Sequence, residues 1–327
     1  MYYYLIMDIG GTKTSTALFS QDGILVDDYV YTRASRTFSG EDAVYENSKG
    51  AIDHVIEKFN IDLNDVLGIG VGCPGPLDTK RGIIINAPLM RWKNFPLKDR
   101  LYNDYRVPIA IDNDCNLGAL AEQRRGLAIG LENVIYVTVS TGVGAGIVLN
   151  GNIYHGKTDS AGEFGHMSIE EDGKICPCGN KGCLELYCSG TAIKQILAND
   201  AQAGVKGLVF DMAAGDMSVL DGKLLAEAAE QGDPYSIGLY KQIGNTLGFG
   251  LTNIFNLFDP NMVVIGGGVS KSHKFFEEAL LSTVKRRSII HVQDDQIQYS
   301  IMCDRVVLYG AFHLIKEFAE KGERKCR

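Results

Sequence analysis

Asp8-Ile-Gly-Gly-Thr-Lys13 joins two strand-like runs near the start of the chain. The apolar run from Tyr2 to Ile9 comes before the two glycines, and the alternating run Ser15-Thr-Ala-Leu-Phe19 follows them. A turn at Gln21-Asp-Gly23 then leads into a third run, from Ile24 to Tyr31. Apolar runs separated by glycine-containing turns are typical of hairpins. The segment therefore predicts a strand, a glycine turn, a strand, a tight turn and a third strand.

The same pattern returns in the middle of the chain. Val134 to Ser140 is strand-like, Thr141-Gly-Val-Gly-Ala-Gly146 is a second glycine turn, and Ile147-Val-Leu149 is the strand-like run that follows it. A tight turn at Asn150-Gly151 and the short run Asn152-Ile-Tyr154 complete the copy. A supersecondary unit that occurs twice predicts two related halves.

The residues around these copies alternate between helical and strand patterns. Glu41 to Phe59 has apolar residues close to helical spacing, which predicts an amphipathic helix. Val66 to Gly72 is typical of a buried strand, and the strand Ile109-Ala-Ile111 leads through Asp112-Asn-Asp114 into another helix. Ala198 to Gly222 is polar and glycine-rich, which favours a loop or a poorly packed helical insert. The alternation predicts an α/β fold with mixed sheets.

Length and composition predict a soluble protein of two domains. The 327 residues, of which 45% are hydrophobic and 22% charged, match an ordinary globular chain of that size. No apolar run of about 20 residues could span a bilayer, and we expect no signal peptide. The net charge of −8 argues against a nucleic-acid partner. Eight cysteines without a secretion signal favour a reducing compartment, so we expect a cytoplasmic protein with neither a membrane nor a nucleic-acid partner.

Three glycine segments indicate a nucleotide site. In Asp8-Ile-Gly-Gly-Thr-Lys13 and in the turn from Thr141 to Gly146, backbone N–H groups can approach phosphate oxygens without a Cβ in the way. Gly266-Gly-Gly268 follows a strand-like run and offers a flat surface suited to a nucleoside. Each segment alone could equally be an ordinary turn. The chain has no Gly-x4-Gly-Lys-Ser/Thr sequence, which argues against a P-loop fold.

The segment from Ser160 to Glu185 concentrates metal ligands and acids. Three thiolates and one imidazole complete the donor set of a tetrahedral structural zinc site, although their spacing is not that of a zinc finger. Glu163 and Glu185 are not needed in that zinc shell, so these acids indicate a second role for the segment. Cys188 is either a spare ligand or a small buried side chain. The predicted zinc ligands are His166, Cys176, Cys178 and Cys183.

With these motifs the chain resembles the ROK family of sugar kinases and sugar-responsive repressors, within the wider group of actin-like ATPases. The resemblance covers nearly the whole chain, and its cysteine motif is the most specific part. The motifs are Asp8-Ile-Gly-Gly-Thr-Lys13, Gly72-Cys-Pro-Gly-Pro-Leu-Asp78, Asp112-Asn-Asp114, Ser140-Thr-Gly-Val-Gly144, Gly162-Glu-Phe-Gly-His166, Cys176-Pro-Cys-Gly-Asn-Lys-Gly-Cys-Leu-Glu185 and Gly266-Gly-Gly268.

The resemblance implies two actin-like (ribonuclease H-like) α/β domains with mixed sheets and a cleft between them. The smaller N-terminal domain, expected over residues 1–117 and 310–327, would carry the first phosphate turn. The larger domain, expected over residues 118–309, would carry the second phosphate turn, the zinc site and the glycine-rich segment that contacts the nucleoside.

The implied reaction is transfer of the γ-phosphoryl group of ATP to a sugar hydroxyl, usually on C6 of a hexose. Asp114 corresponds to the base that accepts the hydroxyl proton, and Asp8 would help to place Mg²⁺ through water. His166 can ligate zinc with one ring nitrogen and hydrogen-bond the sugar with the other. The implied sugar contacts are Gly75, Asn113, Asp114, Glu163, His166 and Glu185. The implied nucleotide contacts are Asp8, Gly10, Gly11, Thr12, Lys13, Thr141, Gly142, Gly144, Gly267 and Gly268.

Several of these residues also fit plainer roles. Asn113 or Asp114 is the type of residue that caps a helix, and Glu163 and Glu185 could be solvated surface acids. The segment Asn86-Ala-Pro-Leu-Met-Arg-Trp92 departs from the pattern that precedes the tryptophan in many family kinases. Because this segment faces the sugar in those kinases, the departure leaves the identity of the hexose open.

The function also has alternatives. A kinase for N-acetylmannosamine or N-acetylglucosamine fits the same motifs. A sugar-sensing repressor of this family would carry an N-terminal helix-turn-helix, for which the seven residues before Asp8 leave no room. A zinc module for protein binding would leave the glycine turns without a role. The family suggests a homodimer, and the donor remains open between ATP and polyphosphate.

Overall fold

The computed structural model of the chain describes residues 1–35, 37 and 40–325. Strands and helices alternate along most of it. The strands are β1 Tyr3–Ile9, β2 Lys13–Ser20, β3 Leu25–Ala34, β4 Val66–Cys73, β5 Leu77–Asp78, β6 Ile83–Ala87, β7 Trp92–Phe95, β8 Ile109–Asn113, β9 Val134–Val139, β10 Val143–Leu149, β11 Asn152–Ile153, β12 Met262–Gly266 and β13 Ile297–Tyr299. The α-helices are α1 Glu41–Phe59, α2 Leu97–Tyr105, α3 Asp114–Arg125, α4 Glu185–Cys188, α5 Gly190–Gln202, α6 Leu208–Ala213, α7 Gly222–Glu230, α8 Pro234–Phe258, α9 Glu277–Arg287 and α10 Val306–Lys325.

The first sheet has the strand order β3-β2-β1-β4-β8. Strand β1 pairs antiparallel with β2 and parallel with β4, so the sheet is mixed. Successive side chains of a strand point to opposite faces. Leu5 accordingly enters a core formed with α1 and α2, whereas Ile6 enters a core formed with α10. Burial on both faces fixes the ends of β1 and β8, which carry Asp8 and Asn113.

The second sheet has the strand order β11-β10-β9-β12-β13. Strand β12 pairs parallel with β9 and with β13, and β10 and β11 form an antiparallel hairpin. The long helix α8 packs against α9. A Cβ at Gly244 in α8 would lie 2.3 Å from the carbonyl oxygen of Phe276, so this close approach requires glycine. The two mixed sheets and their helices confirm the α/β fold expected from the sequence.

A third, three-stranded antiparallel sheet has the order β5-β6-β7 and contains Trp92. Only 1% of Trp92 is exposed, and its ring stacks on Phe95 with centroids 4.5 Å apart. Its Nε1 donates to the carbonyl oxygen of Glu41 at 3.0 Å. The indole therefore lies in a core, while Asn86 of the same segment is exposed.

The chain divides into two compact units. Unit 1 consists of Met1–Gly130, Gly146–Gly162 and Asp304–Arg327, and unit 2 consists of Leu131–Ala145 and Glu163–Cys303. Among the described residues, no helix combines the length and the apolar character needed to cross a membrane.

Helix α3 accounts for the extension of unit 1 beyond residue 117. The expected domain boundary at residues 117 and 118 falls inside this helix. Arg124 on α3 donates from Nε to Glu317 Oε1 on α10 at 2.8 Å, and both helices lie in unit 1. The correspondence between these units and the two expected domains stays a prediction.

Candidate functional site

The first glycine turn closes on itself between β1 and β2 in unit 1. The backbone N–H of Gly10 donates to the carbonyl oxygen of Lys13 at 2.9 Å. Lys13 Nζ forms an ion pair with Asp304 Oδ2 at 3.1 Å. Burial raises the pKa of Asp8 to about 7, the nearby Asp114 carboxylate acts in the same direction, and Lys13 opposes the shift. The turn thus combines tight backbone curvature with several charges, which suits a site for phosphate and a cation.

Two neighbouring polar residues at the end of β8, Asn113 and Asp114, have different roles. Asn113 is the N-cap of α3, and its Oδ1 accepts from the backbone N–H of Cys115 at 2.8 Å and from that of Asn116 at 3.3 Å. Asp114 is the first residue of the helix, and its Oδ1 accepts from the N–H of Cys115 at 2.9 Å. The capping role therefore belongs to Asn113. Gly75 lies beside this cap, since a Cβ on it would be 3.5 Å from Asn113 Nδ2.

The predicted zinc ligands come together in unit 2. One donor atom from each of the four residues lies within 4.8 Å of the others. His166 Nδ1 is 3.7 Å from Cys176 Sγ, and Cys178 Sγ is 3.7 Å from Cys183 Sγ. Around a tetrahedral zinc with Zn–S distances of about 2.3 Å, neighbouring ligand atoms lie roughly 3.6–3.8 Å apart. The donor set and its spacing fit zinc.

Cys188 lies outside this cluster. Its side chain is fully buried and its Sγ approaches the carbonyl oxygen of Leu184 at 3.3 Å. Of the two roles open to Cys188, that of a small buried side chain is confirmed.

Two acids flank His166 on different sides of its ring. Nε2 of His166 is 3.9 Å from Glu163 Oε2, and Nδ1 is 3.5 Å from Glu185 Oε1. The side chain of Glu163 is 62% exposed, whereas that of Glu185 is 22% exposed. Because Nδ1 faces Cys176 and the cluster, the geometry assigns Nδ1 to the metal and leaves Nε2 on the side of Glu163. Such a metal contact fixes the ring and its second nitrogen.

The second glycine turn is held by hydrogen bonds from another element. Within the turn, the N–H of Ser140 donates to the carbonyl oxygen of Gly142 at 2.9 Å. From the start of α5, the N–H of Gly190 donates to Ser140 O at 2.7 Å, and Thr191 Oγ1 donates to Thr141 O at 2.7 Å. The start of α5 therefore fixes the carbonyl groups of Ser140 and Thr141.

A cavity of about 710 Å³ opens beside this turn within unit 2. Its volume is in the range of pockets that bind nucleotide-sized ligands. One wall is aromatic, with the rings of Tyr240 and Phe275 stacked at 5.3 Å. Gly267 precedes the lining residue Gly268 and has φ +90°; a Cβ on it would be 2.4 Å from the carbonyl oxygen of Val139, so glycine is required there. The lining includes Ser140, Thr141, Thr191, Lys194, Asp221, Tyr240, Gly268, Lys271, Lys274 and Phe275.

Of the two acids beside His166, Glu185 also lies against the second turn in unit 2. A Cβ on Gly142 would lie 3.1 Å from Glu185 Oε2, so this carboxylate stands directly against the turn. The same small region thus contains the histidine–cysteine cluster, a partly buried acid and a wall of the cavity.

The candidate residues form two groups, one in each unit. Electrostatic interactions join Asp8 with Lys13 and Asp114 in unit 1, and contacts join His166 with Glu163, Glu185 and the cysteines in unit 2. Unit 1 holds Asp8, Gly10, Gly11, Thr12, Lys13, Gly75, Asn113 and Asp114. Unit 2 holds Thr141, Gly142, Gly144, Glu163, His166, Cys176, Cys178, Cys183, Glu185, Gly267 and Gly268.

Sequence reasoning missed Thr191 and the aromatic wall of the cavity. The hydroxyl of Thr191 donates a hydrogen bond to Thr141 O, 50 positions earlier, so no local sequence pattern predicts this contact. Tyr240 lies at helical spacing among the apolar residues of α8, where an aromatic side chain is read as core. Ser189 is the N-cap of α5, and Thr191 is the second residue of that helix. Because helix N-termini commonly bind anions, this position could have indicated Thr191 as a site residue.

The strand–turn–strand segments and the histidine–cysteine cluster together define a recognisable class of protein. The model of the ROK family matches residues 4–318. The chain belongs to the ROK family, which confirms the resemblance of its motifs.

Individual relatives include both enzymes and regulators. A glucokinase of Halalkalibacterium halodurans is 35% identical over 285 residues, which cover 87% of this chain and 84% of that protein. A xylose repressor of Bacillus subtilis is 30% identical over 286 residues, which cover 87% of this chain and 69% of the repressor. The crystal structure of a ROK family glucokinase from Streptomyces griseus with glucose and AMPPNP superposes with a TM-score of 0.82 at 28% identity, covering 98% of this chain and 100% of that one.

Proposed function

We propose that this chain is an ATP-dependent sugar kinase that phosphorylates a hexose, at its C6 hydroxyl. One observation carries the proposal: Glu185 stands against both His166 and the turn that borders the large cavity of unit 2. Acids and an imidazole suit sugar hydroxyls, and a cavity beside a glycine turn suits a nucleotide. The glucokinases among the relatives, one of them solved with glucose and AMPPNP, support the same class of reaction.

In unit 1, Asp114 would act as the general base. Its carboxylate would accept the proton of the attacking hydroxyl, while the cap Asn113 keeps only its amide nitrogen for a sugar oxygen because its Oδ1 is used by α3. A carboxylate suffices, since phosphoryl transfer depends mainly on positioning and charge neutralisation. Gly75, next to that amide, would offer its backbone to the sugar.

The first turn would serve the phosphate groups. Backbone N–H groups of Gly10, Gly11, Thr12 and Lys13 would face phosphate oxygens, and Asp8 would hold water bound to Mg²⁺. When bound, Mg²⁺ neutralises charge that develops on the transferred group. Burial raises the pKa of Asp8 and so opposes its ionisation. The positive charge of a bound Mg²⁺ would favour the ionised carboxylate.

The candidate residues of unit 2 would contact both the sugar and the nucleotide. Glu163, Glu185 and Nε2 of His166 would accept or donate hydrogen bonds to sugar hydroxyls. Zinc, when bound, supplies a structural centre that fixes the His166 ring. Thr141, Gly142 and Gly144 would face the phosphates, and Gly267 and Gly268 the nucleoside, beside the aromatic wall.

Two alternatives rest on specific observations. In the segment Asn86-Ala-Pro-Leu-Met-Arg-Trp92 the tryptophan is present but the asparagine is displaced from the pattern of many family kinases, which keeps an N-acetylmannosamine or N-acetylglucosamine kinase as an alternative. The similarity to the xylose repressor of Bacillus subtilis keeps a sugar-sensing regulator as the second candidate function. A homodimer and a cytoplasmic location stay predictions.

A coupled assay tests the proposed function. Purified protein with MgATP, and separately with polyphosphate, is offered glucose, mannose, fructose, allose and the N-acetylhexosamines. We expect ATP-dependent turnover with one class of these sugars. Sugar binding without turnover of any donor would contradict the kinase and favour the regulator.

A further inference from the structure

A buried carboxylate, that of Asp112, lies two residues before the candidate base Asp114 in the sequence. Asp112, near the end of β8, is 1% exposed. Its Oδ1 accepts from the backbone N–H of Asn113 at 2.7 Å and from Asn116 Nδ2 at 2.9 Å. Its Oδ2 lies 2.7 Å from His155 Nε2. A buried carboxylate is costly unless it is paired with a cation and hydrogen-bonded, and this one has both kinds of partner.

His155 reaches Asp112 from the loop that follows β11 in unit 1. This loop is fastened to the turn after β5, because Asp159 Oδ2 accepts from Thr79 N at 2.8 Å and from Thr79 Oγ1 at 3.0 Å. The side chain of His155 is 30% exposed, so water can exchange its proton while the ring stays held.

The charged groups that face His155 favour its cationic form. The hydrogen bond to Asp112 is the main cause of a raised pKa, and the charges of Asp112 and Asp159 add to it. Partial burial and Lys80 act in the opposite direction. The imidazolium therefore persists to a higher pH than that of an ordinary histidine, whose pKa is about 6.5.

Loss of that cation would affect the segment that carries the chemistry. Asp112 fixes the backbone of Asn113, and Asn113 caps the helix that begins with Asp114. An unpaired Asp112 would also add a buried negative charge two residues from Asp114, in a region where Asp114 already raises the pKa of Asp8. Both effects would disturb the position and the basicity of Asp114.

We propose that His155 is a positioning residue for phosphoryl transfer, whose imidazolium neutralises Asp112 and thereby holds the Asn113–Asp114 segment in the geometry that the base requires. The inference rests on the proposed kinase function with Asp114 as base. It assigns a role to a residue that is not among the proposed sugar or nucleotide contacts.

The direction of the pH effect follows from the pairing. Below its pKa in the folded protein His155 is charged and Asp112 is neutralised. As the pH rises through that value, the cation is lost and turnover falls. The alkaline limb of kcat then reports on His155, and a permanently charged substitute removes it.

The experiment compares pH profiles from about pH 6 to about pH 9 for the wild type, His155→Arg, His155→Gln and the control His54→Gln. His54 lies on α1 and contacts Tyr29 and Tyr31. We expect His155→Arg to keep its kcat at alkaline pH. Below the pKa of His155, His155→Gln should lose about tenfold or more in kcat with little change in sugar KM, and above that pKa its kcat should approach that of the wild type. The control should keep the wild-type profile.

Two results would overturn the inference: an alkaline limb that is unchanged in His155→Arg, or a wild-type kcat in His155→Gln below the pKa of His155. If His155→Arg does not fold, NMR titration of His155 in the wild type replaces it, and its midpoint must coincide with the alkaline limb of kcat. A midpoint at the ordinary histidine value would also overturn the pairing. A wild type that phosphorylates no sugar would instead overturn the proposed function, together with the reaction that His155 serves.

Discussion

The glycine turn at residues 10–12, between β1 and β2, and the turn at residues 140–142, between β9 and β10, share a strand–turn–strand plan but have opposite surroundings. The first turn closes through its own backbone and is surrounded by charges, namely Asp8, the Lys13–Asp304 ion pair and Asp114. The second turn is held by neutral donors from the start of α5 and borders a cavity with an aromatic wall.

The same backbone motif can therefore form two kinds of binding site. Charges around a turn suit a cation and the transferred group, whereas fixed peptide groups beside aromatic rings suit the rest of a nucleotide. We therefore expect substitutions in unit 1 to lower turnover and substitutions in unit 2 to weaken binding. Three substitutions test that division.

The largest effect is expected from Asp114→Asn in unit 1. An amide cannot accept the hydroxyl proton, so kcat should fall by about 10²–10⁴-fold while the sugar dissociation constant changes little. Steady-state kinetics and calorimetric sugar binding measure the two quantities. Asp22→Asn, in an exposed hairpin turn of the same unit, is the control and should behave as the wild type. Unchanged turnover in Asp114→Asn would refute the assignment of the base.

An intermediate effect is expected from Cys178→Ser in unit 2. The wild type should contain about one tightly held zinc per chain, and the variant should lose it, because a hydroxyl is a poor substitute for a thiolate. With the His166 ring released, sugar KM should rise by about tenfold or more. Cys303→Ser, at an exposed cysteine of unit 2 outside the cluster, should keep its zinc. Metal analysis of thiol-protected wild type that finds no zinc would end this prediction.

The smallest effect is expected from Thr191→Val. Loss of the hydrogen bond to Thr141 O removes about 0.5–1.5 kcal/mol of support from the second turn, so the KM for ATP should rise by roughly 2- to 12-fold with the sugar KM unchanged. Thr191→Ser keeps the hydroxyl and should restore wild-type behaviour. Equal increases in both KM values would show that Thr191 supports the fold of unit 2 in general rather than the turn.

Much of the framework could be predicted from periodicity. The sequence predicted a helix over Glu41–Phe59, with the bounds that α1 has, and it placed both glycine turns between strands. These features depend on local alternation, which neighbouring residues determine. The predicted extent of the second turn, Thr141 to Gly146, was wrong, because β10 already begins at Val143. Of the two alternatives for Ala198–Gly222, the loop was wrong, because this stretch contains the helix α6, and the helical insert packs better than expected, because α6 buries Val209 and Ala213. Tertiary burial of two small apolar residues is not visible in a polar, glycine-rich sequence.

The candidate site divides in the same way. The proximity of His166, Cys176, Cys178 and Cys183 was predictable because three thiols and an imidazole within one short segment are typical of a metal site. That this cluster binds zinc stays a prediction. His155 and Thr191 were not, since each acts through one partner, 43 and 50 positions away respectively. Asn113 and Asp114 were ambiguous as caps until the backbone showed which one starts the helix.

The chain passes between its two units four times, after Gly130, Ala145, Gly162 and Cys303. Neither unit is therefore encoded by one uninterrupted stretch of the gene. A truncation cannot deliver the candidate sugar contacts Glu163 and Glu185 with the rest of unit 2 without cutting the polypeptide that also forms unit 1. Swapping acceptor specificity between family members would accordingly require exchanging single residues or short loops rather than whole terminal segments.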